Sequence, residues 1–301
     1  MKENRTSVSN TRRERGTNTL RTGDGRRLAW IELGPPDGAP LFYFHGFPAS
    51  RLEGIFTEPY AWELGLRVIA MDRPGMGLAD PLPGRRIGDW PGDVERVADE
   101  LGLGTFAALG VSGGGPYLLA CAAKIPHRLL SATTACGLGP PESFSAEGRL
   151  AVLRDMLFGL VHRHPEAAGP IASISRPLAV RLAPLVHRVT TAVAPAADRR
   201  AMRDPRVGLI VTESLAEAFR QGTDGPSREL RLYSNPWDFD LSDIRVPVRL
   251  WHGTSDNVVP VSDCRYLEQH LPYCRATYVP GEAHFSLVMN HAREILGEIA
   301  A

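Results

Sequence analysis

Apolar residues fall into short, nearly continuous runs, separated by longer stretches in which they recur every three or four positions. The runs are "RLAWIEL" (27–33), "LFYFHG" (41–46), "LRVIAMD" (66–72), "TFAALGV" (105–111), "LLSATTACG" (129–137), "VPVRLWHG" (246–253) and "ATYVPG" (276–281). Such runs predict strands covered on both faces rather than an exposed antiparallel sheet. Between them, Trp90, Val94, Val97 and Leu101 recur at spacings of 4, 3 and 4, one face of a helix with acids on the other. "GPYLLACAAKIP" has Pro116 in its first turn and stops before Pro126; "SDCRYLEQHLP" opens on a Ser/Asp cap and stops at Pro272. Alternation of this kind predicts an α/β fold with a mostly parallel sheet and right-handed crossovers.

Two stretches break the alternation. Residues 138–235 contain helical segments such as "EGRLAVLRDMLFGLVHR" and "RVGLIVTESLAEAFRQG" without a convincing strand, and read as a helical insertion lying over the sheet. Residues 1–22 are polar and Arg-rich, without the apolar core a secretory signal requires, and read as a disordered tail. The core is then expected over 23–137 and 236–301.

Composition narrows the function classes. The 301 residues are 43% apolar and 23% charged, with 34 basic against 34 acidic side chains. That balance offers no global field for nucleic acid or an anionic membrane, so neither is an expected partner. No run of about 18 apolar residues suggests a spanning helix. The expectation is a cytoplasmic protein, monomer or homodimer, acting on a small molecule. Cys121, Cys136, Cys264 and Cys274 form no CxxC pair and read as free thiols. The histidines show no HExxH spacing, so no metal and no cofactor are expected.

The candidate chemistry starts at "GVSGG". Gly110-Val111-Ser112-Gly113-Gly114 matches G-x-S-x-G where a strand meets a Pro-started helix, the context that motif demands. A turn this tight holds the serine in a left-handed backbone region, and glycine at 110 and 114 removes clashes two residues to either side. The Ser112 hydroxyl is lifted clear of the sheet at a helix N-terminus, where a developing oxyanion is stabilised. Serine needs a base, and the base needs a carboxylate. Asp256, beyond "VPVRLWHG", and His284, after "ATYVPG", both fall at the carboxyl ends of strands, where ligands bind in open α/β sheets. Asp238, Asp240 and Asp243 precede their strand, His252 lies within one, and His270 and His291 fall in helical patterns; all are weaker candidates. His45-Gly46-Phe47-Pro48 ends another strand. The Phe47 N–H is the expected partner of the Gly113 N–H in an oxyanion hole, with Gly46 permitting close approach.

Together "HGFPASR" (45–51), "MDRPGMGLAD" (71–80), "GVSGGG" (110–115), "WHGTSDNVVP" (251–260) and "GEAHFSL" (281–287) resemble the α/β-hydrolase superfamily, in family order. The resemblance implies an eight-stranded, mostly parallel sheet with a helical cap between strands 6 and 7, here 138–235. It makes Ser112, Asp256 and His284 a catalytic triad, and it gives Asp72 and Gly75 a structural loop near the site. Haloalkane dehalogenases and epoxide hydrolases of the superfamily put aspartate at the nucleophile position, so Ser112 argues against both. Proline iminopeptidases usually carry a tryptophan where Gly113 stands. Their amine-binding acids would lie in the cap, but Glu213 and Glu217 read as a solvated helix face. The expected function is a cofactor-free serine hydrolase of a small or medium carboxylic ester, or a lactone or thioester. Leu157, Phe158 and Phe219 are expected to shape its apolar pocket. The alternatives are peptide or carbon–carbon bond cleavage, perhydrolysis or lyase chemistry on the same residues, or a non-catalytic small-molecule binder.

Overall fold

Each of the seven apolar runs forms a strand, and one further strand precedes them. The computed structural model describes residues 16–145 and 149–300. In chain order the strands are β1 (Thr17–Arg21), β2 (Arg27–Leu33), β3 (Ala39–Phe44), β4 (Leu66–Met71), β5 (Phe106–Val111), β6 (Leu129–Ala135), β7 (Val248–Gly253) and β8 (Cys274–Val279). They form one sheet in the order β1-β2-β4-β3-β5-β6-β7-β8. β2 is antiparallel to both β1 and β4, and every other neighbour is parallel.

β1 corrects the reading of 1–22 as a disordered tail. Thr17 to Arg21 pair in register with Ile31 to Arg27, so this polar segment is an edge strand. An edge strand can be held by its ladder on one side while its side chains stay wet, so "TNTLR" carries no apolar run. The rest of that expectation, residues 1–15, lies outside the described residues.

The helices are α1 (Glu58–Leu64), α2 (Trp90–Glu100), α3 (Gly115–Lys124), α4 (Arg149–Arg163), α5 (Ala168–Arg181), α6 (Ala183–Val193), α7 (Ala196–Ala201), α8 (Pro205–Ala218), α9 (Asp224–Tyr233), α10 (Val261–His270), α11 (His284–Asn290) and α12 (Ala292–Ala300). Successive strand residues enter opposite faces of the sheet. Phe42, Phe44, Ile69 and Met71 pack with Trp90, Val94 and Val97 of α2 and Leu118 of α3 on one side. Leu41, Tyr43, Val68 and Ala70 pack with Ala61 of α1 and with Ile295 and Leu296 of α12 on the other. Both faces are therefore covered, which is why the central strands read as unbroken apolar runs. Helices α4 to α9 separate β6 from β7, and no strand occurs in this stretch among the described residues. None of the described helices is long and apolar enough to cross a membrane.

Strand order reverses between β3 and β5, because the chain leaves β3 for β4 on one side and reaches β5 on the other. The register sets Phe44 beside Gly110 at the ends of these two strands. The loops that follow, at 45–48 and 112–114, thus meet at a topological switch point, where open α/β sheets bind ligands.

Candidate active site

Ser112 directly follows β5 and opens a tight 3-10 turn, Ser112–Gly114, that runs into α3. Its φ is +53°, in the left-handed region; among the described non-glycine residues only Cys136, at +50°, shares that sign. Keeping a side chain there costs about 1–2 kcal/mol, so the surrounding packing must enforce it. It does: a Cβ on Gly114 would lie 2.0 Å from the Phe44 carbonyl oxygen, and one on Gly110 would lie 2.7 Å from that of Gly114. Glycine is obligatory at both positions, as the motif led us to expect. The Ser112 carbonyl is held from behind by the amides of Gly115 and Leu138, the latter at 3.0 Å.

His284 is the first residue of α11, and Asp256 follows β7. The imidazole Nε2 lies 3.0 Å from Ser112 Oγ, and Nδ1 lies 2.7 Å from Asp256 Oδ2. Asp256 Oδ1 accepts from the amides of Val258 and Val259 at 2.8 and 2.9 Å, which fixes the carboxylate toward the ring. Burial alone would raise the Asp256 pKa, but the facing His284 outweighs it and the carboxyl sits below its ordinary value. Burial likewise pushes His284 down, and the Asp256 carboxylate outweighs it, leaving the imidazole above its ordinary value. The ring is thereby given a definite tautomer, with Nδ1–H toward Asp256 and Nε2 free to accept from Ser112.

The loop after β3 closes on the serine. A Cβ on Gly46 would come within 3.4 Å of the Ser112 Cβ, and one on Gly113 within 3.0 Å of the Phe47 Cβ. The Phe47 N–H has no acceptor among the described residues, and the Gly113 N–H lies in the first turn, where a helix supplies none. Gly113 has a further constraint. A Cβ there would sit 2.8 Å from Tyr233 Oη, so the tyrosine of α9 fills the space that a larger residue after the serine would need.

A cavity of about 350 Å³ opens onto Ser112 and His284. Its outer wall comes from the helices between β6 and β7, through Leu150, Ala183, Val186, Thr190, Met202 and Leu215. Leu157, Phe158 and Phe219, expected to shape the pocket, do not line it. Phe158 packs at a tilt against the rings of Phe144 and Tyr233, and Phe219 is buried with Ala172, Ala179 and Ala218. The apolar faces of α4 and α8 turn them into the interior, and periodicity alone does not tell a wall from a core. Glu217 also departs from expectation. It is buried and paired with Arg51 at 2.9 Å, so it is not part of a solvated face.

The remaining histidines and acids stay apart from the serine. His252 Nε2 bonds to the Val259 carbonyl at 2.9 Å, His270 Nδ1 to that of Tyr266 at 2.7 Å, and His291 to Glu294 at 2.8 Å. Asp238 accepts the Gly88 amide, Asp240 caps the turn that follows it, and Asp243 closes that turn. Among the described residues the one grouping suited to hold a metal is Cys136, Asp256 and His284. Two of its members are already bonded to each other at 2.7 Å, and this set does not call for an ion. All four cysteines are unpaired; three are buried and Cys274 is partly exposed.

Sequence reasoning missed a buried polar cluster behind the 45–48 loop. Arg73, Arg85 and Glu229 are buried together, with Tyr117 and Tyr233 donating to Glu229 at 2.6 Å each. Arg73 lies within the quoted "MDRPGMGLAD" segment, but its partner is 156 residues away in α9, a stretch that carries no motif of its own. Glu53 was missed as well. It lines the cavity and accepts from the Gly46 amide and from Tyr43 Oη, both at 2.8 Å.

Known proteins place this geometry in a family. A sequence model of the alpha/beta hydrolase fold matches residues 39–291. A non-heme chloroperoxidase of Streptomyces lividans is 28% identical over 263 residues, 81% of this chain and 84% of that protein. A bifunctional esterase/perhydrolase of Acinetobacter calcoaceticus is 24% identical over 79% of this chain and 82% of its own length. The crystal structure of a bromoperoxidase from Bacillus anthracis superposes with a TM-score of 0.68 at 21% identity, covering 94% of this chain and 97% of that one. The chain, matched over most of its length and carrying the fold's sheet order, belongs to the alpha/beta hydrolase fold family.

Proposed function

We propose that the protein is a serine hydrolase that cleaves a small or medium carboxylic ester, lactone or thioester through an acyl-enzyme. The observation that carries this reading is the continuous chain from Ser112 Oγ to His284 Nε2 at 3.0 Å and from His284 Nδ1 to Asp256 at 2.7 Å, beside an apolar cavity. Ser112 Oγ attacks the ester carbonyl while His284 takes its proton. The amides of Phe47 and Gly113 bind the oxyanion. His284 then protonates the departing alkoxide as the carbon–oxygen bond breaks. Water, deprotonated by the same imidazole, attacks the acyl-enzyme and releases the acid, and Ser112 regains its proton. Asp256 holds the ring and stabilises its cation throughout. The helices of 138–235 act as a cap whose inner wall selects the acyl group.

The peptide reading is weakened at one of its two candidate acids: Glu217 is buried and paired with Arg51 and Arg220, which leaves it unavailable to a substrate amine. Perhydrolysis remains a second reading, because relatives matched over most of the chain are named for perhydrolase and haloperoxidase activities. In that reaction hydrogen peroxide replaces water at the acyl-enzyme and the product is a peracid.

The test is direct. Purified protein should release p-nitrophenol from p-nitrophenyl acetate, and a fluorophosphonate should label Ser112 as read by peptide mass. Ser112→Ala should remain folded and lose both responses. Turnover that survives in that variant, or label on another residue, overturns the mechanism. Peracid formed from an ester and hydrogen peroxide at a rate above that of hydrolysis would favour the second reading.

A further inference from the structure

Beside Ser112 two consecutive peptide units expose four polar groups, and three are held from within the protein. The His45 carbonyl accepts from Arg73 Nη1. The Gly46 N–H donates to Glu53 Oε1 at 2.8 Å. The Gly46 carbonyl accepts from Arg73 Nη2 at 2.8 Å and from His45 Nδ1 at 2.9 Å. The fourth group is the Phe47 N–H, which has no acceptor among the described residues. A trans peptide is planar, with its carbonyl and its N–H pointing opposite ways. A Gly46 carbonyl drawn toward Arg73 therefore turns the Phe47 N–H away from Arg73, to the side where Gly46, Phe47 and Ser112 line the cavity.

Arg73 is in turn held in place. It is fully buried, and its Nε donates to Glu229 Oε2 at 2.9 Å. Glu229 also accepts from Arg85, Tyr117 and Tyr233. Burial opposes its charge, but the two arginines prevail and pull its carboxyl down to about 2. Tyr233 lies one turn further along α9, with its Oη 2.8 Å from the Gly113 carbonyl as well. A buried ion cluster is a poor device for stability, since well-packed apolar residues serve as well or better. What an apolar residue cannot do is grip two adjacent carbonyls with one planar fork.

We propose that Arg73, braced by Glu229, is a positioning residue that fixes the Gly46–Phe47 peptide plane so that the Phe47 N–H faces the reacting carbonyl oxygen. The helical segment between β6 and β7 thereby supports an oxyanion donor that belongs to the sheet. This inference rests on the hydrolase reading for its kinetic consequence, but not for its geometry.

The experiment uses Arg73→Lys, which keeps the charge and loses the fork, and Glu229→Gln, which keeps the shape and loses the brace. Crystal structures of both report the orientation of the Gly46–Phe47 peptide. Kinetics on p-nitrophenyl acetate report kcat, KM and the pH profile, and a trifluoromethyl ketone reports affinity for a tetrahedral adduct. The expected result is a rotated or mixed peptide plane, kcat lower by about 10- to 100-fold, and KM within about twofold. The ketone should weaken by the same factor as kcat, and the acid limb of the profile should stay in place because His284 and Asp256 are untouched. An unchanged peptide plane with wild-type kcat in either folded variant overturns the proposal. So does a rate loss that comes with a displaced acid limb, which would put the effect on His284. If the wild type neither turns over the ester nor takes the fluorophosphonate, the hydrolase reading fails instead, and the peptide orientation alone decides the positioning role.

Discussion

Ser112 Oγ and His284 Nε2 stand 3.0 Å apart although 172 residues separate them in the chain. The approach is not local chemistry but a property of the sheet. β5 and β8 are parallel strands of one ladder, so the loops at their carboxyl ends open on the same edge. Asp256 joins from the end of β7, which lies next to β8. Three ordinary side chains form one hydrogen-bonded chain because the sheet presents three strand ends in one direction.

The proposed mechanism sets a pH dependence. In it His284 must be neutral to accept the serine proton, and Asp256 raises its pKa above the ordinary value against burial. The rate should therefore rise with pH through a midpoint above about 6.5, and be lost below it as the ring protonates. Asp256→Asn removes the charge that raises the pKa, so burial prevails and the midpoint moves down. The same change costs about 10⁴ in kcat, because the ring loses its tautomer. A pH profile of kcat/KM for both proteins checks this; a midpoint that stays put in Asp256→Asn would mean that the carboxylate is not the source of the shift.

Much of this was legible in the residues. The apolar runs located β2 to β8, and the glycines at 110 and 114 announced a turn that tolerates no Cβ. His284, Asp256, Phe47 and Gly113 were legible because strand ends are punctuated by Gly, Pro and polar residues. What stayed hidden depended on tertiary partners. β1 is held by pairing with β2 and not by apolar content. Glu229 and Arg73 look like surface charges until α9 is packed against the 45–48 loop, and the wall of the cavity depends on how α6 to α8 are rotated. Neither is encoded in a local period.

Two glycines should respond in opposite ways to the same substitution. Gly114→Ala places a methyl 2.0 Å from a backbone oxygen of β3, which no rotamer can relieve. Misfolding or loss of activity is expected, read by thermal unfolding and ester turnover. Gly297 lies inside α12, where an added methyl would meet nothing within 4 Å, so Gly297→Ala should stabilise by about 0.5–1 kcal/mol. A lower unfolding midpoint for Gly297→Ala would contradict this account of α12.

Arg51 ties the sheet to the helical segment. Its guanidinium lies 2.7 Å from Asp72 and 2.9 Å from Glu217 of α8, and all three groups are buried. Asp72 is also held by the amides of Arg51 and Leu78 at 2.7 and 2.9 Å. Arg51→Met leaves buried Asp72 without its cation and Glu217 with only Arg220 at 3.5 Å, and we expect a loss of roughly 3–5 kcal/mol. The urea midpoint should fall accordingly, while Asp72→Asn on the same background should recover part of the loss. No recovery would show that the damage is lost packing rather than uncompensated charge.

Asp198 offers the sharpest separation of structure from charge. It sits on α7, yet its Oδ1 accepts the amides of Phe285 and Ser286 at 2.9 and 2.7 Å. These are the second and third residues of α11, whose first residue is His284. Ala283, at the cap position, has no oxygen to offer, so a residue of the helical segment satisfies these donors instead. Asp198 also contributes negative charge that raises the His284 pKa. Asp198→Ala should lower stability by about 1–3 kcal/mol through the stranded amides. It should also lower kcat by roughly 10- to 100-fold, because the start of α11 moves and carries His284 with it. Asp198→Asn keeps a carbonyl oxygen for both amides but removes the charge. Its kcat should stay near wild type while the acid limb of the profile moves to lower pH. If the asparagine variant loses rate as the alanine variant does, the carboxylate charge and not the cap holds His284 in place.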